Sequence, residues 1–381
     1  MKVGIDINQV VYQGTGVGRF TQNLVESVLS YDQKNQYIFF FSSLRQKLDN
    51  RLEQKIKTSN QKLIKWRFPP SLLSLLWNDL HQFSSLTTNY LLPTTTLDYF
   101  ISSDWTEPPL NCPKATIVHD LIYRRYPETL DKKIVFTQEK RMNWVKQESK
   151  IIFADSLSTK DDLIKLLNID SKKIAVNYPG VTIIQQTKQQ IMQTLKKYGI
   201  KKPFILTVGK LEPRKNITRL IQSFNQLNDN KIDLIYKIDL IIAGPKGWDS
   251  SLNIKHQTLN IKYLGHISDI ELYSLYSSCL FFVYPSLYEG FGYPIVEAMK
   301  LGAPVACSNT SSMKEIAGDA ALLFNPLKIN EIFHCIVTMK QDKKLRDELI
   351  SKGKERAKMF NWEKYINKML FVLNNLTNKP I

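Results

Sequence analysis

The sequence predicts an α/β protein built from two doubly wound domains, each with a mostly parallel sheet. Two observations support this class. The chain has 381 residues, 43% of them apolar, and one hydrophobic core rarely serves a chain of that length. Short apolar runs also alternate with helical patterns in both halves of the chain, as they do in consecutive βαβ units.

The first half starts this alternation near the N-terminus. Its predicted strands are KVGIDI (2–7), QYIFFF (36–41), DYFISS (98–103), ATIVHD (115–120) and KIIFADS (150–156), with a helix over 17–30. A further helix is predicted after the fifth strand. This order of elements is typical of an open parallel sheet.

The second half repeats the alternation with different residues. Its predicted strands are FILTVGK (204–210), DLIIAG (239–244), IKYLG (261–265), LFFVYPS (280–286) and PVACSN (304–309), with helices near 216–228, 268–278 and 294–301. Two doubly wound domains share this order of elements without sharing sequence, so no internal repeat is required.

A polar, lysine-rich stretch over 181–203 separates the two halves. Gly199 and Pro203 punctuate it just before a new strand, which is typical of a domain boundary. Apolar residues at helical spacing near the C-terminus predict a last helix, and the pattern leaves open whether that helix returns to the N-terminal domain. The predicted organisation is a domain over 1–185, a linker over 181–200, a domain over 200–358 and a terminal helix within 359–381.

Composition narrows the compartment and the partners. The four cysteines are scattered without a CxxC pair, so we expect neither a disulfide framework nor a structural metal, which fits a reducing cytoplasm. We see no signal peptide pattern and no run of about 18 apolar residues. The net charge of +17 favours anionic partners. Nucleic acid is disfavoured among them, because no RNP-like, zinc-finger or KH signature is present.

The segment GTGVGRF (14–20) lies between the first strand and the first helix. Its backbone N–H groups can approach an anion at the N-terminus of that helix. The glycine spacing differs from GxGxxG, and the second strand ends in Ser42 and Ser43 instead of an acidic residue. NAD binding is therefore disfavoured, and a flexible turn is the alternative interpretation.

The segment GKLEPRKN (209–216) follows an apolar strand and precedes a helix. It places Lys210, Arg214 and Lys215 at the carboxyl end of a strand, where open α/β sheets bind ligands. Cations at a helix N-terminus are unfavourable unless an anion is present. A bound diphosphate would supply that anion, whereas a basic surface loop is the alternative.

His119, in the segment VHD (118–120), also follows a predicted strand. A histidine there can exchange a proton near neutral pH, and Asp120 is close to it in the sequence. A structural role is the alternative for a single histidine.

The segment PSLYEGFGYPIVEAM (285–299) carries two glutamates, Glu289 and Glu297, around a Gly-Phe-Gly sequence. Glu289 is predicted in a strand-to-helix loop and Glu297 about one turn inside the helix, whose first turn suits Pro294. The glycines allow close approach of a ligand. Two carboxylates at this edge are good acceptors for the hydroxyl groups of a sugar and a ribose.

These segments together resemble the family 4, or group 1, retaining glycosyltransferases of GT-B fold. Residues 285–326 resemble the family's C-terminal signature, and GTGVGRF, VHD, GKLEPRKN and GHISDIELYSLY (265–276) occur in the family's order. The resemblance covers most of residues 1–326. It implies two Rossmann-like domains that face each other across a cleft.

The resemblance also implies roles for individual residues. Glu289 and Glu297 match the family's E-x7-E pair, which places Glu289 on hydroxyls of the transferred sugar and Glu297 on the ribose of the nucleotide. Lys215 matches a lysine on the donor diphosphate, with Arg214 beside it. His119 resembles the family's histidine beside the reacting sugar, so the implied catalytic residues are Glu289, His119 and Lys215.

Further residues are implied at the donor site. Gly16 resembles a glycine whose backbone faces the diphosphate, and Lys210 stands where many members carry arginine. The backbone amides near the second glycine of the Gly-Phe-Gly sequence would complete the anion and sugar contacts. These amides belong to Phe291, Gly292 and Tyr293.

The implied function is transfer of a hexose, with mannose one candidate, from a nucleoside-diphosphate sugar to a glycan or lipid-linked acceptor. No cofactor and no metal are expected, since the sequence contains no DxD triplet. We expect a cytoplasmic enzyme, and the basic and apolar residues of 44–77 predict peripheral contact with the inner membrane leaflet. The alternatives are a glycoside hydrolase that uses Glu289 and Glu297, and a non-catalytic nucleotide-sugar-binding protein.

Overall fold

The structure is a computed structural model that describes residues 1–12, 14–81, 96–102, 104–201, 203–229, 238–249 and 260–377. The chain divides into two compact units. The first comprises Met1–Gly180 and Asn361–Ile381, and the second comprises Val181–Phe360.

The first unit contains a seven-stranded parallel sheet. Across the sheet the strands lie in the order β3-β2-β1-β4-β5-β6-β7, so the direction of winding reverses between β1 and β4. The strands are β1 (Lys2–Asp6), β2 (Gln36–Ser42), β3 (Lys62–Trp66), β4 (Tyr99–Ser102), β5 (Lys114–Val118), β6 (Ser149–Ala154) and β7 (Ile174–Val176).

The second unit contains a six-stranded parallel sheet. Its order is β10-β9-β8-β11-β12-β13, with the reversal between β8 and β11. A buried apolar cluster that includes Ile205, Leu240 and Val283 forms its core. The strands are β8 (Phe204–Val208), β9 (Asp239–Ala243), β10 (Ile261–Gly265), β11 (Phe281–Tyr284), β12 (Val305–Ser308) and β13 (Ala321–Phe324).

Helices connect the strands of both sheets. The α-helices are α1 (Gly16–Tyr31), α2 (Asn50–Thr58), α3 (Pro70–Ser74), α4 (Ile122–Arg125), α5 (Lys132–Glu148), α6 (Leu157–Leu167), α7 (Lys188–Lys197), α8 (Ile217–Asp229), α9 (Asp269–Tyr276), α10 (Tyr293–Lys300), α11 (Ser311–Ala317), α12 (Ile329–Gln341), α13 (Lys343–Ala357) and α14 (Trp362–Thr377). A π-helix follows α3 over Leu75–Leu80, and 3₁₀ turns lie over Asn8–Val11, Pro127–Thr129, Ser171–Lys173 and Pro213–Lys215. In the described part of the chain, no helix is long and apolar enough to cross a membrane.

The predicted fold class is confirmed, because both sheets are parallel and are connected by helices. Each predicted strand is present, with its ends shifted by two residues at most. Three further strands, β3, β7 and β13, were not predicted. Within 181–200, the predicted linker, α7 forms a regular helix that belongs to the second unit and packs against α9.

The last helix, α14, packs within the first unit against α1. The rings of Trp362 and Tyr365 lie 5.4 and 5.7 Å from that of Phe20, measured between centroids. A Cβ added to Gly180 would lie 2.4 Å from the backbone nitrogen of Trp362, so only glycine fits where the chain passes the start of α14.

Candidate active site

Two cations and a carboxylate meet at the carboxyl ends of β8 and β11 in the second unit. Arg214 and Lys215 lie in the loop after β8, and Glu289 lies in the loop after β11. Nζ of Lys215 is 2.6 Å from Oε1 of Glu289, and Nη1 of Arg214 is 2.9 Å from Oε2. Because β8 and β11 pair in parallel, their following loops emerge at the same edge of the sheet.

Two hydroxyl groups also bind the carboxylate of Glu289. Tyr284 and Ser286 donate to its Oε1 at 2.7 and 2.6 Å, and Lys215 donates to the hydroxyl oxygen of Tyr284 at 3.0 Å. Oε1 therefore accepts three hydrogen bonds, while a carboxylate oxygen has about two lone-pair sites. A ligand hydroxyl can reach Glu289 through Oε2, or by displacing one of these donors.

Burial and charge together set the pKa values of this cluster. Burial alone would raise the pKa of Glu289, but Arg214 and Lys215 outweigh it and lower this pKa to about 2. Burial, followed by the charge of Arg214, lowers the pKa of Lys215. Burial raises the pKa of Tyr284 well above its ordinary value. At neutral pH Glu289 is thus a carboxylate and Tyr284 a neutral phenol.

Arg214 is fixed by further contacts. Its Nη2 donates to Oε1 of Glu212 at 2.5 Å, and its Nη1 donates to the carbonyl oxygen of Tyr288 at 2.6 Å. The carbonyl group of Arg214 accepts a hydrogen bond from the N–H of Leu287. The loops after β8 and β11 therefore hold each other, which preorganises the two cations.

The Gly-Phe-Gly loop is supported by serines at the start of α11. Ser312 donates to the carbonyl oxygens of Glu289 and Phe291 at 2.8 and 2.9 Å, and the N–H of Glu289 donates to Ser311 at 2.9 Å. Gly292 has φ of +101° immediately before α10, a conformation that favours glycine. The predicted backbone contacts of Phe291, Gly292 and Tyr293 with a donor stay a prediction.

Glu297 lies inside α10 and is 3% exposed. Tyr276 of α9 donates to its Oε2 at 3.4 Å. The carboxylate of Glu297 thus lies between α9 and α10. It is more buried there than a side chain that binds a ribose from a surface loop would be. Its contact with a ribose stays a prediction.

The described contact of Lys210 differs from those of Lys215. Its ammonium nitrogen is 4.3 Å from the centroid of the Trp248 ring, in a cation–π arrangement. Trp248 is 48% exposed, so this pair is accessible to solvent. A role for Lys210 on the diphosphate stays a prediction.

His119 and Gly16 belong to the first unit. Nδ1 of His119 lies 2.7 Å from Oδ2 of Asp155, whereas Asp120, the expected neighbour, accepts from the N–H of Ile122 at 2.9 Å. The hydrogen-bond partner of His119 is therefore not the one adjacent in sequence. A Cβ at Gly16 would meet no atom within 4 Å, so this position has open space around it.

Sequence reasoning missed Tyr284, Ser286 and Asp155 as parts of the site. Tyr284 and Ser286 stand in the predicted strand LFFVYPS, where a phenol and a hydroxyl at the carboxyl end signal a polar edge. Asp155 likewise stands at the end of KIIFADS. Polar residues at the carboxyl ends of otherwise apolar strands were the available signal for all three.

The match to a family model falls within the second unit. Residues 190–356 match the family model of glycosyl transferases group 1. These residues are therefore similar to group 1 glycosyl transferases. The matched segment contains Arg214, Lys215 and both glutamates of the E-x7-E pair, and the resemblance to group 1 glycosyltransferases is confirmed.

Similar proteins extend the match beyond this segment. O-antigen chain mannosyltransferase B of Escherichia coli is 29% identical over 378 residues, covering 95% of this chain and 97% of that protein. N-acetylgalactosamine-N,N'-diacetylbacillosaminyl-diphospho-undecaprenol 4-alpha-N-acetylgalactosaminyltransferase of Campylobacter jejuni is 29% identical over 214 residues, covering 55% of this chain and 56% of that protein.

A solved structure supports the fold over the full chain. The glycosyltransferase from Rickettsia africae ESF-5 has a TM-score of 0.71 at 16% identity, covering 100% of this chain and 99% of that one. At this identity the likeness concerns the fold, which is GT-B as predicted.

Proposed function

We propose that this protein is a retaining, metal-independent hexosyltransferase of glycosyltransferase family 4. It transfers a hexose, with mannose the leading candidate, from a nucleoside-diphosphate sugar to a glycan or lipid-linked acceptor. The observation that carries the proposal is the buried cluster in which Arg214 and Lys215 share Glu289. The relatives support its classes of donor and acceptor, since one is named for mannose and O-antigen and another for diphospho-undecaprenol.

The two cations receive the diphosphate of the donor in this proposal. When the bond between sugar and diphosphate breaks, negative charge grows on the leaving oxygen, and fixed cations stabilise it. The side chains of Arg214 and Lys215 are only 12% and 13% exposed, so solvent screens them weakly. The diphosphate competes with Glu289 for both cations, which frees the carboxylate to accept a sugar hydroxyl.

These charges make a divalent cation unnecessary for the proposed reaction. The sequence contains no DxD triplet. Among the described residues, no group of three or more His, Cys, Asp or Glu side chains could hold a metal ion. We therefore expect transfer to continue in the presence of a chelator.

Retention follows if the acceptor hydroxyl attacks the anomeric carbon from the side of the leaving group. The new bond between acceptor oxygen and anomeric carbon forms as the bond to the diphosphate oxygen breaks. The electron pair of the broken bond leaves with the diphosphate. The proton of the acceptor hydroxyl passes to a diphosphate oxygen, so no separate protein base is required.

A glycoside hydrolase fits the cluster less well. Such an enzyme needs a carboxyl group with a raised pKa to protonate the leaving group. Against the effect of burial, Arg214 and Lys215 lower the pKa of Glu289 to about 2, so this group stays ionised. A non-catalytic nucleotide-sugar-binding protein would keep the same cluster, and only a measurement of transfer separates it.

A donor screen with the variant Glu289→Gln tests the proposal. Purified protein with EDTA is given GDP-mannose, UDP-glucose and UDP-GlcNAc, and the anomeric configuration of any product is determined by NMR. We expect Glu289→Gln to lower kcat by roughly 100-fold while binding of the nucleoside diphosphate survives. Unchanged turnover in this variant, or cleavage of aryl glycosides as fast as use of nucleotide sugars, would contradict the proposal.

Glu212→Gln is the matched control for this variant. It makes the same chemical change next to the same guanidinium group, because Glu212 also binds Arg214. The described hydrogen bonds of the Lys215 and Tyr284 side chains go to each other and to Glu289, whereas Glu212 reaches Lys215 through its backbone carbonyl oxygen, which the substitution retains. We expect Glu212→Gln to lower kcat by about 10-fold or less, against roughly 100-fold for Glu289→Gln, since mutational effects on a transition state follow contacts with reacting groups.

We also propose that the enzyme works at the cytoplasmic face of the membrane, where lipid-linked acceptors lie. Lys55 and Lys57 in α2 are exposed, and Leu75 is 48% exposed. Leu73 and Trp77 are buried. The apolar surface of residues 44–77 is therefore smaller than the sequence predicts, and electrostatic attraction would provide most of any binding.

A further inference from the structure

His119 and Asp155 form a buried pair in the first unit. The parallel strands β5 and β6 are in register with Val118 opposite Ala154, so the residues that follow them lie side by side. Nδ1 of His119 is 2.7 Å from Oδ2 of Asp155, and the side chains are 12% and 3% exposed. The topology of the sheet thus assembles a pair that is 36 residues apart in sequence.

The backbone and ring of His119 are also fixed. The hydroxyl of Thr159 donates to its carbonyl oxygen at 3.1 Å. The ring of Phe20 in α1 lies edge-on at 4.5 Å between centroids. Among the described residues, the buried Nε2 of His119 has no hydrogen-bond partner. Buried polar atoms are rarely left unpaired, so Nε2 is available for an oxygen or a proton of a ligand.

Two states of this pair would do different chemistry. A neutral imidazole that donates from Nδ1 to Asp155 presents a lone pair at Nε2 and acts as a base, as in a hydrolase triad. An imidazolium presents an N–H at Nε2 and donates a charge-assisted hydrogen bond. The surrounding charges decide between these states.

The charged groups around His119 favour the imidazolium. Burial alone would lower the pKa of His119, but Asp155, and to a smaller extent Asp104 and Asp120, raise it to about 9. The ring of Phe20, which packs edge-on against that of His119, carries no charge. Because a raised pKa means protonation below that value, His119 is charged throughout the neutral range.

We propose that Asp155 is a positioning residue that keeps His119 protonated, so that Nε2–H donates to a substrate oxygen and His119 does not act as the base. The transferred proton of the acceptor must then reach another group, which agrees with its passage to the leaving diphosphate. The activity part of this inference rests on the proposed function. The protonation part does not.

NMR titration of the histidine Cε1–H signals tests the protonation state without any activity. The variant His119→Gln assigns the signal among the five histidines. In wild-type protein we expect His119 to titrate near 9. In Asp155→Asn we expect its pKa to fall by two units or more, with the other histidines unchanged. A wild-type value below 7, or no change in Asp155→Asn, would overturn the proposal.

The pH dependence of transfer tests the consequence for catalysis. A histidine of ordinary pKa is protonated in only about one molecule in thirty at pH 8, so Asp155→Asn should lose roughly 30-fold in kcat at pH 8 and recover most of it near pH 5.5. Wild-type activity should not show this fall between pH 6 and 8. Equal loss at every pH would mean a merely structural role and would overturn the proposal.

Two controls keep these outcomes distinct. Asp162→Asn makes the same change at an equally buried aspartate of α6, which pairs with Arg125, and should leave the pKa of His119 unchanged. If Asp155→Asn does not fold, Asp155→Glu and the wild-type titration still decide the protonation state. If the wild type transfers no sugar but His119 titrates near 9, the proposed function fails while the protonation part of the inference stands.

Discussion

Tyr284 links Glu289 and Lys215 in the candidate donor site, because its hydroxyl donates to Glu289 and accepts from Lys215. Tyr284→Phe removes both hydrogen bonds and leaves the ring in place. We expect a loss of about 1 kcal/mol in transition-state stabilisation, which corresponds to a fall of roughly 5-fold in kcat/KM. Steady-state kinetics with the best donor measure it.

Tyr263→Phe is the control for that variant. Its hydroxyl donates to the carbonyl oxygen of Gly244 at 2.8 Å, so the same group is lost elsewhere in the second unit. A fall in kcat/KM that is equal in both variants would remove Tyr284 from the site. A fall confined to Tyr284→Phe would support the hydrogen-bonded link between Glu289 and Lys215.

Sequence could bring Glu289 and Lys215 together at the residue scale but not His119 and Asp155. Lys215 and Glu289 lie in the segments GKLEPRKN and PSLYEGFG, which follow two predicted strands. The clustered cations of the first segment and the carboxylate beside glycines in the second indicate a binding site from sequence alone. For His119 the nearest acid along the chain, Asp120, was the natural choice. Its true partner depends on the register of β5 and β6, and register between strands is set by tertiary packing.

At the scale of elements, the strands that were not predicted share a position in the sheets, although the edge strand β10 was predicted. The missed strands β3, β7 and β13 all lie at sheet edges. In β3 the residues are exposed or half-buried along its length, and two lysines interrupt the apolar residues. The strands β7 and β13 are apolar but have only three and four residues, so each of the three strands gives a weaker signal than a longer continuous apolar run.

In the segment GTGVGRF, the start of α1 depends more on Gly18 than on Gly16. A Cβ at Gly18 would lie 2.2 Å from the carbonyl oxygen of Tyr12, whereas at Gly16 it would meet no atom within 4 Å. Gly18→Ala must displace the turn that Thr15 caps. We expect it to lower the free energy of unfolding by roughly 1–3 kcal/mol, measured by chemical denaturation.

Gly16→Ala is the matched control, with an expected change in unfolding free energy of about 0.5 kcal/mol or less. Equal destabilisation by both substitutions would contradict the close approach at Gly18. If Gly16→Ala folds normally but weakens use of the donor, the predicted approach of a diphosphate to this backbone gains support.

At the scale of the whole molecule, the net charge of +17 attracts any anionic surface. Membrane contact through residues 44–77 and attraction by the net charge of the whole molecule lead to different predictions. The double variant Lys55→Ala/Lys57→Ala and the double variant Lys343→Ala/Lys344→Ala each remove two exposed positive charges, one pair from α2 and one from α13. The total charge of the two variants is therefore the same.

We expect wild-type protein to sediment with vesicles that contain anionic lipid and to be released by salt, because each lysine near such a surface contributes about 1 kcal/mol. If residues 44–77 form the contact, the α2 variant should lose roughly 10-fold or more in binding and the α13 variant little. Equal loss would assign the attraction to the charge of the whole molecule. No sedimentation of the wild type at low salt would contradict peripheral contact, and the enzyme would then have to meet its acceptor without a membrane-binding surface of its own.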